Sequence, residues 1–277
     1  MTGAVDWRKD IPASIPNLSH AVASFVWKAR REHSRCTGTR CLEGRGSRRT
    51  NGAGCDEGRS ASRCYDAILG RSGRPRDARE WSALGPYHGL PVSGGESCIS
   101  LNDEAVHGVP SDRQLQDGDL VKLDVTVEKD GFMADAAITV PVGQVSSQAQ
   151  QLLECAERAF HKSMLVARAG FRVFEIGKIV EREVRKSGFS VVRELGGHGI
   201  GRTIHEPPHV PNYADPQAAQ IMTAGLVITV EPIISSGSGR VFTEKDGWTV
   251  RTSDHSLSAH FEHTLVVTAG APILLTA

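Results

Sequence analysis

A pair of strands joined by a tight turn is the feature that most restricts the fold of this 277-residue chain. Alternating apolar and polar residues flank Lys129-Asp130-Gly131, a turn sequence typical of β-hairpins. A turn at this point makes Asp124 and Asp135 direct or diagonal cross-strand neighbours. Two carboxylates held that close repel unless a cation lies between them or they share a proton. The hairpin therefore predicts a metal site or an acid–base pair.

Further candidate ligands follow in the second half of the chain. The segment GGHGIGRTIHEPPH carries His198 and His205 among glycines that let the backbone approach a ligand closely. Glu231 ends the β-branched run GLVITVEP, and Glu262 lies in the apolar run LSAHFEHTLVVT. A glutamate in an apolar strand is costly unless it is paired or binds metal. Four carboxylates and one imidazole suit two divalent ions such as Mn²⁺, Fe²⁺, Co²⁺ or Zn²⁺.

Two helices are predicted between the hairpin and the glycine-rich segment. Apolar residues at helical spacing predict a first helix capped by Ser147 and stopped at Gly170. The second, FEIGKIVEREVRKSG, is predicted to end at Gly188. We expect both helices to be scaffold.

The net charge of zero hides a change of composition near residue 97. Residues 1–97 carry 16 Lys+Arg against 10 Asp+Glu, whereas residues 98–277 carry 16 against 22. Only three Leu, Ile or Val residues occur in 30–80, too few to offset the entropy of ordering that segment. We therefore divide the chain into an Arg/Gly-rich N-terminal region, 1–96, expected to be poorly ordered, and a folded domain, 97–277.

The composition also argues against two classes of protein. The chain has no run of about 18 apolar residues that would span a membrane. The N-terminal sequence MTGAVDWRKDIPAS lacks the apolar centre of a secretory signal. We expect a cytoplasmic monomer with six reduced Cys, no membrane partner and no specific nucleic-acid partner.

Taken together, these motifs resemble a bacterial type I methionine aminopeptidase, an enzyme that removes the initiator Met from nascent chains. The resemblance covers roughly 180 residues from Ser97 and includes SCISLNDEAVHGVP, DGDLVKLDVTVEKDG, GGHGIGRTIHEPPHVPNY and DGWTVRTSDHSLSAHFEHTLVVT. It implies the α/β (α+β) pita-bread fold, with pseudo-two-fold halves around a dinuclear metal site and an incomplete first half here. The implied partner is the N-terminal Met of nascent polypeptides near the ribosome.

The resemblance also implies a metal ligand set. Asp124 and Asp135 would be ligands, with Asp135 bridging both ions. His198 and Glu231 would bind the second ion, and Glu262 would bridge as the fifth ligand. A hydroxide bridging the ions would then attack the carbonyl after the N-terminal Met.

Three other positions gain roles from the same resemblance. His107 and His205 correspond to the substrate histidines of the family. Glu231 would shuttle the proton, His205 would help to hold the developing oxyanion, and His107 would assist at the scissile amide. Trp248 would line the pocket for the Met side chain, whose thioether gains from aromatic contact.

The sequence departs from the family pattern at several positions. Ala136 follows Asp135 where the family usually has Thr. Ile204 precedes His205 where an aromatic residue is common, and His260 stands where the bacterial enzymes often have Gln. We interpret these three changes as tolerated substitutions next to the ligands.

The larger departure lies upstream, in residues 30–96. The family normally fills about 80 residues there with two amphipathic helices and a segment of the Met pocket, and neither is recognisable in this sequence. Our hypothesis is that this region is a frameshifted or mispredicted reading of the gene, and a true extension is the alternative.

Two other functions stay open at this stage. The first is a degenerate pita-bread protein without peptidase activity, whose Arg-rich region binds RNA or ribosomes. The second is a metallopeptidase of the Xaa-Pro type, which shares the metal ligands. The presence of all five ligands argues against the first, and the composition of residues 1–96 argues against the second.

Overall fold

Strands contain more residues than helices in a computed structural model, which describes residues 95–109, 111, 113–129 and 131–276. The strands within these ranges are β1 (Gly95–Leu101), β2 (Glu104–Val106), β3 (Leu120–Lys129), β4 (Phe132–Pro141), β5 (Ser190–Val191), β6 (Gly196–Gly199), β7 (Glu206–Pro211), β8 (Val227–Val230), β9 (Ile233–Ser235), β10 (Val241–Thr243), β11 (Val250–Thr252), β12 (Ser258–His260), β13 (Glu262–Val266) and β14 (Ile273–Leu274). The helices are α1 (Ser147–Ser163) and α2 (Val173–Lys186).

The predicted N-terminal region, 1–96, lies outside these residues except for its last two. Its expected poor order and the hypothesis about its origin therefore stay predictions. Neither α1 nor α2, the helices of the described ranges, has the length and apolar character needed to cross a bilayer.

The largest sheet places strands that are distant in sequence side by side. Its order is β1-β3-β4-β13-β8-β6-β7, and β14 adds to β13. Two smaller sheets have the orders β10-β11-β2 and β12-β9-β5. Because β13 lies between β4 and β8, it connects the hairpin to the strands of the glycine-rich segment.

The predicted hairpin is confirmed, with β3 and β4 paired antiparallel along their whole length. Lys129 lies opposite Phe132 at the end of the hairpin, and Gly131 has a positive φ of 77° that favours glycine. Asp124 pairs with Ala137 and Thr126 pairs with Asp135. The two aspartates are therefore diagonal neighbours on one face of the hairpin.

The two helices cover the opposite face of the hairpin. Leu123 and Val125 of β3 join one apolar core with Leu152 and Phe160 of α1 and Val180 of α2. Side chains alternate between the faces of a strand, so the even-numbered residues of β3 point away from this core. The helices are scaffold, and the aspartates lie on the face that they leave open.

The boundaries of α1 differ from the prediction at both ends. The N-cap is Ser146 rather than Ser147, and its side chain accepts a hydrogen bond from the Ala149 N–H. The helix ends at Ser163 rather than at Gly170, because the next segment bonds to other parts of the chain. The N–H of Ala169 donates to Thr268 and that of Gly170 donates to Met222.

The end of α2 agrees with the prediction to within two residues. The helix ends at Lys186, Ser187 is its C-cap and Gly188 has a φ of 78°. A left-handed residue just beyond the last turn is a common way for helices to end.

A buried lysine ties together the strands that carry the candidate ligands. Lys122 is 1% exposed, and its Nζ donates to the carbonyl oxygens of Asn102 at 2.6 Å and Ser258 at 3.1 Å. It also donates to the Ser258 hydroxyl at 3.0 Å. Burial lowers the pKa of Lys122 to about 7. Since Lys122 precedes Asp124 by two residues and Ser258 precedes Glu262 by four, this amine fixes β12 against β3.

One buried carboxylate joins the two helices. Glu183 of α2 is 6% exposed and accepts hydrogen bonds from Arg158 Nε at 2.8 Å and Lys162 Nζ at 2.7 Å. The hydrogen bond from Lys162, with that from Arg158, holds the pKa of Glu183 below its ordinary value in spite of burial.

We predict that Glu183→Gln lowers the free energy of unfolding by about 1–3 kcal/mol at pH 7, because two cations lose their charged acceptor. A lowered pKa gives a contribution that is complete above about pH 4.5 and declines as pH falls through the folded-state pKa. Urea unfolding at pH 7 and at pH 3 measures both effects. Glu194→Gln, at an exposed position, is the matched control. A deficit that is equally large at both pH values would contradict the electrostatic explanation.

Candidate metal centre

A row of facing residues across three strands forms the floor of the candidate site. Ala137 of β4 lies opposite Asp124 on one side and opposite Glu262 of β13 on the other. Ala137 is buried and has a small side chain, so it leaves space into which the two flanking carboxylates reach. Asp135 lies two residues from Ala137 on the same face of β4, and three carboxylates thus converge.

Asp135 is fixed by hydrogen bonds to neighbouring strands. Its N–H donates to Thr264 Oγ1 at 2.8 Å, and the same hydroxyl donates to the Asp135 carbonyl at 2.8 Å. Thr126 Oγ1 donates to Asp135 Oδ1 at 3.2 Å. These contacts orient the carboxylate, which is 6% exposed, and leave its second oxygen toward the cluster.

His198 reaches the cluster because glycines let its strand approach β8 closely. A Cβ on Gly197 would collide with the backbone of Thr229. His198 Nδ1 is 2.9 Å from the Gly199 carbonyl, which can only accept, so Nδ1 carries the proton. In the neutral ring the lone pair is then on Nε2, which is 3.8 Å from Glu231 Oε1 and can serve as a metal ligand.

The two glutamates enter the site from adjacent strands. Glu231 directly follows β8, and its carbonyl accepts a hydrogen bond from Asn212 Nδ2 at 2.8 Å. Glu262 begins β13 and is 2% exposed. Within the described part of the chain, Glu262 Oε1 is buried without a hydrogen-bond partner. A buried oxygen of this kind is costly unless a cation binds it.

The electrostatics of the cluster favour a bound cation. Burial, followed by the neighbouring carboxylates, raises the pKa of Asp124 and that of Glu262 well above their ordinary values. Burial also raises the pKa of Asp135. Burial alone would raise the pKa of Glu231 as well, but the His260 and His198 imidazoles outweigh it and lower that pKa. Ionisation of these carboxylates is therefore opposed by burial and by their neighbours, and a bound divalent cation would relieve that opposition.

The donor atoms fit divalent metal ions. Two groups of three residues have ligand atoms within 4.8 Å of one another, namely Asp135, His198 and Glu262, and Glu231, His260 and Glu262. Glu262 belongs to both groups, which is the arrangement expected of a carboxylate between two ions. Oxygen donors with a few imidazoles suit Mn²⁺, Fe²⁺, Co²⁺ and Zn²⁺.

Two histidines and a tryptophan lie beside the cluster. The His107 and Trp248 rings are stacked, with centroids 4.6 Å apart and an interplanar angle of 18°. The His205 ring meets the His198 ring edge-on at 4.4 Å. His107 has a φ of 60°, an uncommon backbone conformation, and a Cβ on the following Gly108 would collide with the backbone of Ile99. This close packing fixes the backbone of His107 and thereby limits the positions that its imidazole can occupy.

Both flanking histidines are neutral at pH 7. Burial lowers the pKa of His107, in spite of the opposing charge of Glu231. Partial burial of the His205 ring, together with the neighbouring His198, lowers the pKa of His205 although the residue as a whole is exposed. A neutral imidazole has one donor and one acceptor nitrogen, so each ring can bind a peptide or assist a proton transfer.

Of the five predicted metal ligands, Asp135, His198, Glu231 and Glu262 belong to the two groups of closely spaced donors, whereas Asp124 belongs to neither and is placed near them by the strand register. The predicted residues His107, His205 and Trp248 lie beside these groups. One further member, His260, was noted only as a departure from the family pattern, and the structure brings its ring between Glu231 and Glu262. The alternation of His260, Glu262 and Thr264 in the sequence was the available signal, although His260 ends β12 and Glu262 begins β13. Ala136 lies instead in the core between the sheet and the helices, away from the donors.

Comparisons with known proteins agree with this site. The sequence model of a family described as metallopeptidase family M24 matches residues 76–269. The methionine aminopeptidase of Buchnera aphidicola subsp. Schizaphis graminum is 42% identical over 196 residues, which are 70% of this chain and 74% of that protein. That of Escherichia coli K12 is 41% identical over 196 residues, 70% and 73% of the two chains. The methionine aminopeptidase structure from Thermotoga maritima has a TM-score of 0.75 and 28% identity, and the match covers 96% of this chain and 97% of that one.

We predict that Glu262→Gln leaves the metal-free protein at least as stable as the unmodified protein, because it removes a charge from a repelling cluster. Mn²⁺ at about a hundred times its Kd should stabilise the unmodified protein by about 3 kcal/mol. The variant should gain less than about 1 kcal/mol under the same conditions. Thermal unfolding with EDTA and with Mn²⁺ measures both, with Glu194→Gln as control. A variant that is much less stable in EDTA would show that the carboxylate is a structural group.

Proposed function

Because the chain belongs to metallopeptidase family M24, we propose that it removes the N-terminal Met of polypeptides by hydrolysing the first peptide bond. The mixed α/β pita-bread fold expected from the resemblance is confirmed by the likeness to the Thermotoga maritima enzyme. The observation that carries the proposal is the convergence of the predicted acids and histidines in a chain 41–42% identical to methionine aminopeptidases.

The metal centre of this proposal comprises two divalent ions, with Mn²⁺, Fe²⁺, Co²⁺ and Zn²⁺ as candidates. The residues that would hold them are Asp124, Asp135, His198, Glu231 and Glu262. When bound, the ions would lower the pKa of a water molecule and polarise the carbonyl of the scissile bond. The unpartnered Glu262 oxygen and the free Nε2 of His198 support this assignment.

Glu231 is the residue best suited to move a proton. Its two oxygens lie 3.8 Å from His198 Nε2 and 3.4 Å from His260 Nε2, and these imidazoles keep the carboxylate ionised in spite of burial. An ionised carboxylate accepts a proton from the attacking water and can then donate it to the departing amine.

His205 and His107 would contact the peptide. His205 lies against His198 and is exposed, so its neutral ring can donate a hydrogen bond to the developing oxyanion. His107 is held in its unusual backbone conformation beside the cluster and would contact the scissile amide. Trp248, stacked on His107, would offer an aromatic wall to the Met thioether.

We further propose that residues 97–277 form the catalytic domain and that the enzyme acts as a monomer in the cytoplasm. Its substrates would be nascent polypeptides near the ribosome. The identity of 41–42% with methionine aminopeptidases supports this choice of substrate.

The two alternative functions are less well supported. A degenerate binding protein has no need for five convergent donors, of which four are at most 8% exposed. A peptidase of the Xaa-Pro type is disfavoured because the relatives at 41–42% identity are methionine aminopeptidases.

We predict that the protein cleaves a Met-Ala-Ser peptide when Co²⁺ or Mn²⁺ is added, and that Asp135→Ala lowers kcat/KM by about a thousandfold or more because the metal centre loses a ligand. Release of free Met measures the rate. Asp117→Ala, at an exposed position, is the control and should keep full activity. Equal rates for the unmodified protein and Asp135→Ala would exclude the proposed mechanism.

We predict that His205→Ala lowers kcat by about a hundredfold, because an oxyanion donor acts mainly in the transition state. The affinity for Mn²⁺ should stay within about threefold, since the flanking ring is not a ligand. Steady-state kinetics and calorimetric titration measure the two quantities. His209→Ala, at an exposed histidine of β7, is the matched control. A large loss of metal affinity in His205→Ala would assign this ring to the metal centre instead.

A further inference from the structure

His260 is a buried imidazole that is not among the five proposed metal ligands, although its ring lies beside Glu231 and Glu262. It ends β12 and is 2% exposed. Neither of its ring nitrogens has a hydrogen-bond partner among the described residues. A buried imidazole without partners costs free energy, so its retention at the centre of the site requires an explanation.

The position of the His260 ring is fixed by its backbone. Its N–H donates to Thr139 Oγ1 at 2.8 Å, and the same hydroxyl donates to the His260 carbonyl at 2.8 Å. Lys122 holds the other end of β12 through Ser258. The strand is thus fastened at both ends, and the ring is held in the cluster by the fold.

His260 Nε2 faces two carboxylates at almost equal distances. It is 3.4 Å from Glu231 Oε2 and 3.3 Å from Glu262 Oε2, and neither approach has the geometry of a hydrogen bond. A ring that served only to hold a carboxylate would be expected to donate to one oxygen at about 2.8 Å. Equal spacing from two anionic oxygens is instead what three ligands of one cation adopt around it.

We propose that His260 Nε2 is a sixth protein ligand of the metal centre and binds the ion that Glu231 and Glu262 hold. The inference rests on the proposed dinuclear metal centre and adds a second imidazole to that of His198. The ligand atoms of Glu231, His260 and Glu262 lie within 4.8 Å of one another, so all three can reach a single ion.

A second imidazole changes the preference of the site among metals. Nitrogen ligands favour Co²⁺ and Zn²⁺ over Mn²⁺ more strongly than oxygen ligands do. His260→Gln replaces the imidazole by an amide side chain of similar length. The substitution should therefore weaken the binding of Co²⁺ more than the binding of Mn²⁺. We expect the affinity of the variant for Co²⁺ to fall by about tenfold or more and its affinity for Mn²⁺ to fall by about threefold or less.

Counting the imidazoles bound to the metal tests the proposal directly. Electron spin echo spectroscopy of the Mn²⁺-loaded protein detects nitrogens that bind the ion, and it does not depend on turnover. The unmodified protein should show two bound imidazoles, and His260→Gln and His198→Gln should each show one. His263→Gln, a buried histidine on the neighbouring strand, is the matched control and should retain two. Thermal unfolding in EDTA establishes that each variant is folded. If His260→Gln does not fold, His260→Asn replaces it in the same measurements.

The possible results separate this inference from the proposed function. One bound imidazole that disappears in His198→Gln and persists in His260→Gln would overturn the role of His260 and leave the metal centre intact. Two bound imidazoles that both persist in His260→Gln would also overturn it. No bound imidazole in the unmodified protein would overturn both the inference and the metal centre.

Discussion

Repulsion among buried carboxylates is the constraint on which the rest of this structure depends. Asp124, Asp135 and Glu262 project from one face of three adjacent strands. Burial, with a smaller contribution from neighbouring carboxylates, raises the pKa of each. A sheet that brings such groups together is stable only if backbone pairing and core packing hold it there. The apolar face against α1 and α2 and the amine of Lys122 provide that restraint. A divalent cation bound between these carboxylates would neutralise the repulsion that the sheet imposes on them.

The part of the site that could be predicted from the sequence is the part that depends on local pairing. A Lys-Asp-Gly turn between alternating runs determines the register of β3 and β4, and the register makes Asp124 and Asp135 diagonal neighbours. The position of Glu262 beside them depends on the insertion of β13 between β4 and β8. Non-local strand order has no local signal, so only the resemblance to a known family predicted that contact.

The errors have the same physical origin. The glycine at residue 170 does have a positive φ, but α1 ends at Ser163 because residues 169 and 170 bond to distant segments. The run from Leu257 to Val266 has the alternation of one strand, yet it divides at Phe261 into β12 and β13, which pair with different sheets. In both places tertiary hydrogen bonds override the local pattern. That division also carries His260 into the metal cluster.

The charge of the site explains why an imidazole could be added where another acid could not. In the proposed metal centre, four ionised carboxylates would balance two divalent ions, so a fifth carboxylate in the same buried space would leave a net negative charge. A neutral imidazole contributes a lone pair without changing that balance. Lys122 lies on the same face of β3 as Asp124, but its amine is directed to the oxygens of Asn102 and Ser258 rather than to the acids. The amine of Lys122 can therefore stabilise the packing of β3 against β12, while the carboxylates of the site stay available to bind metal.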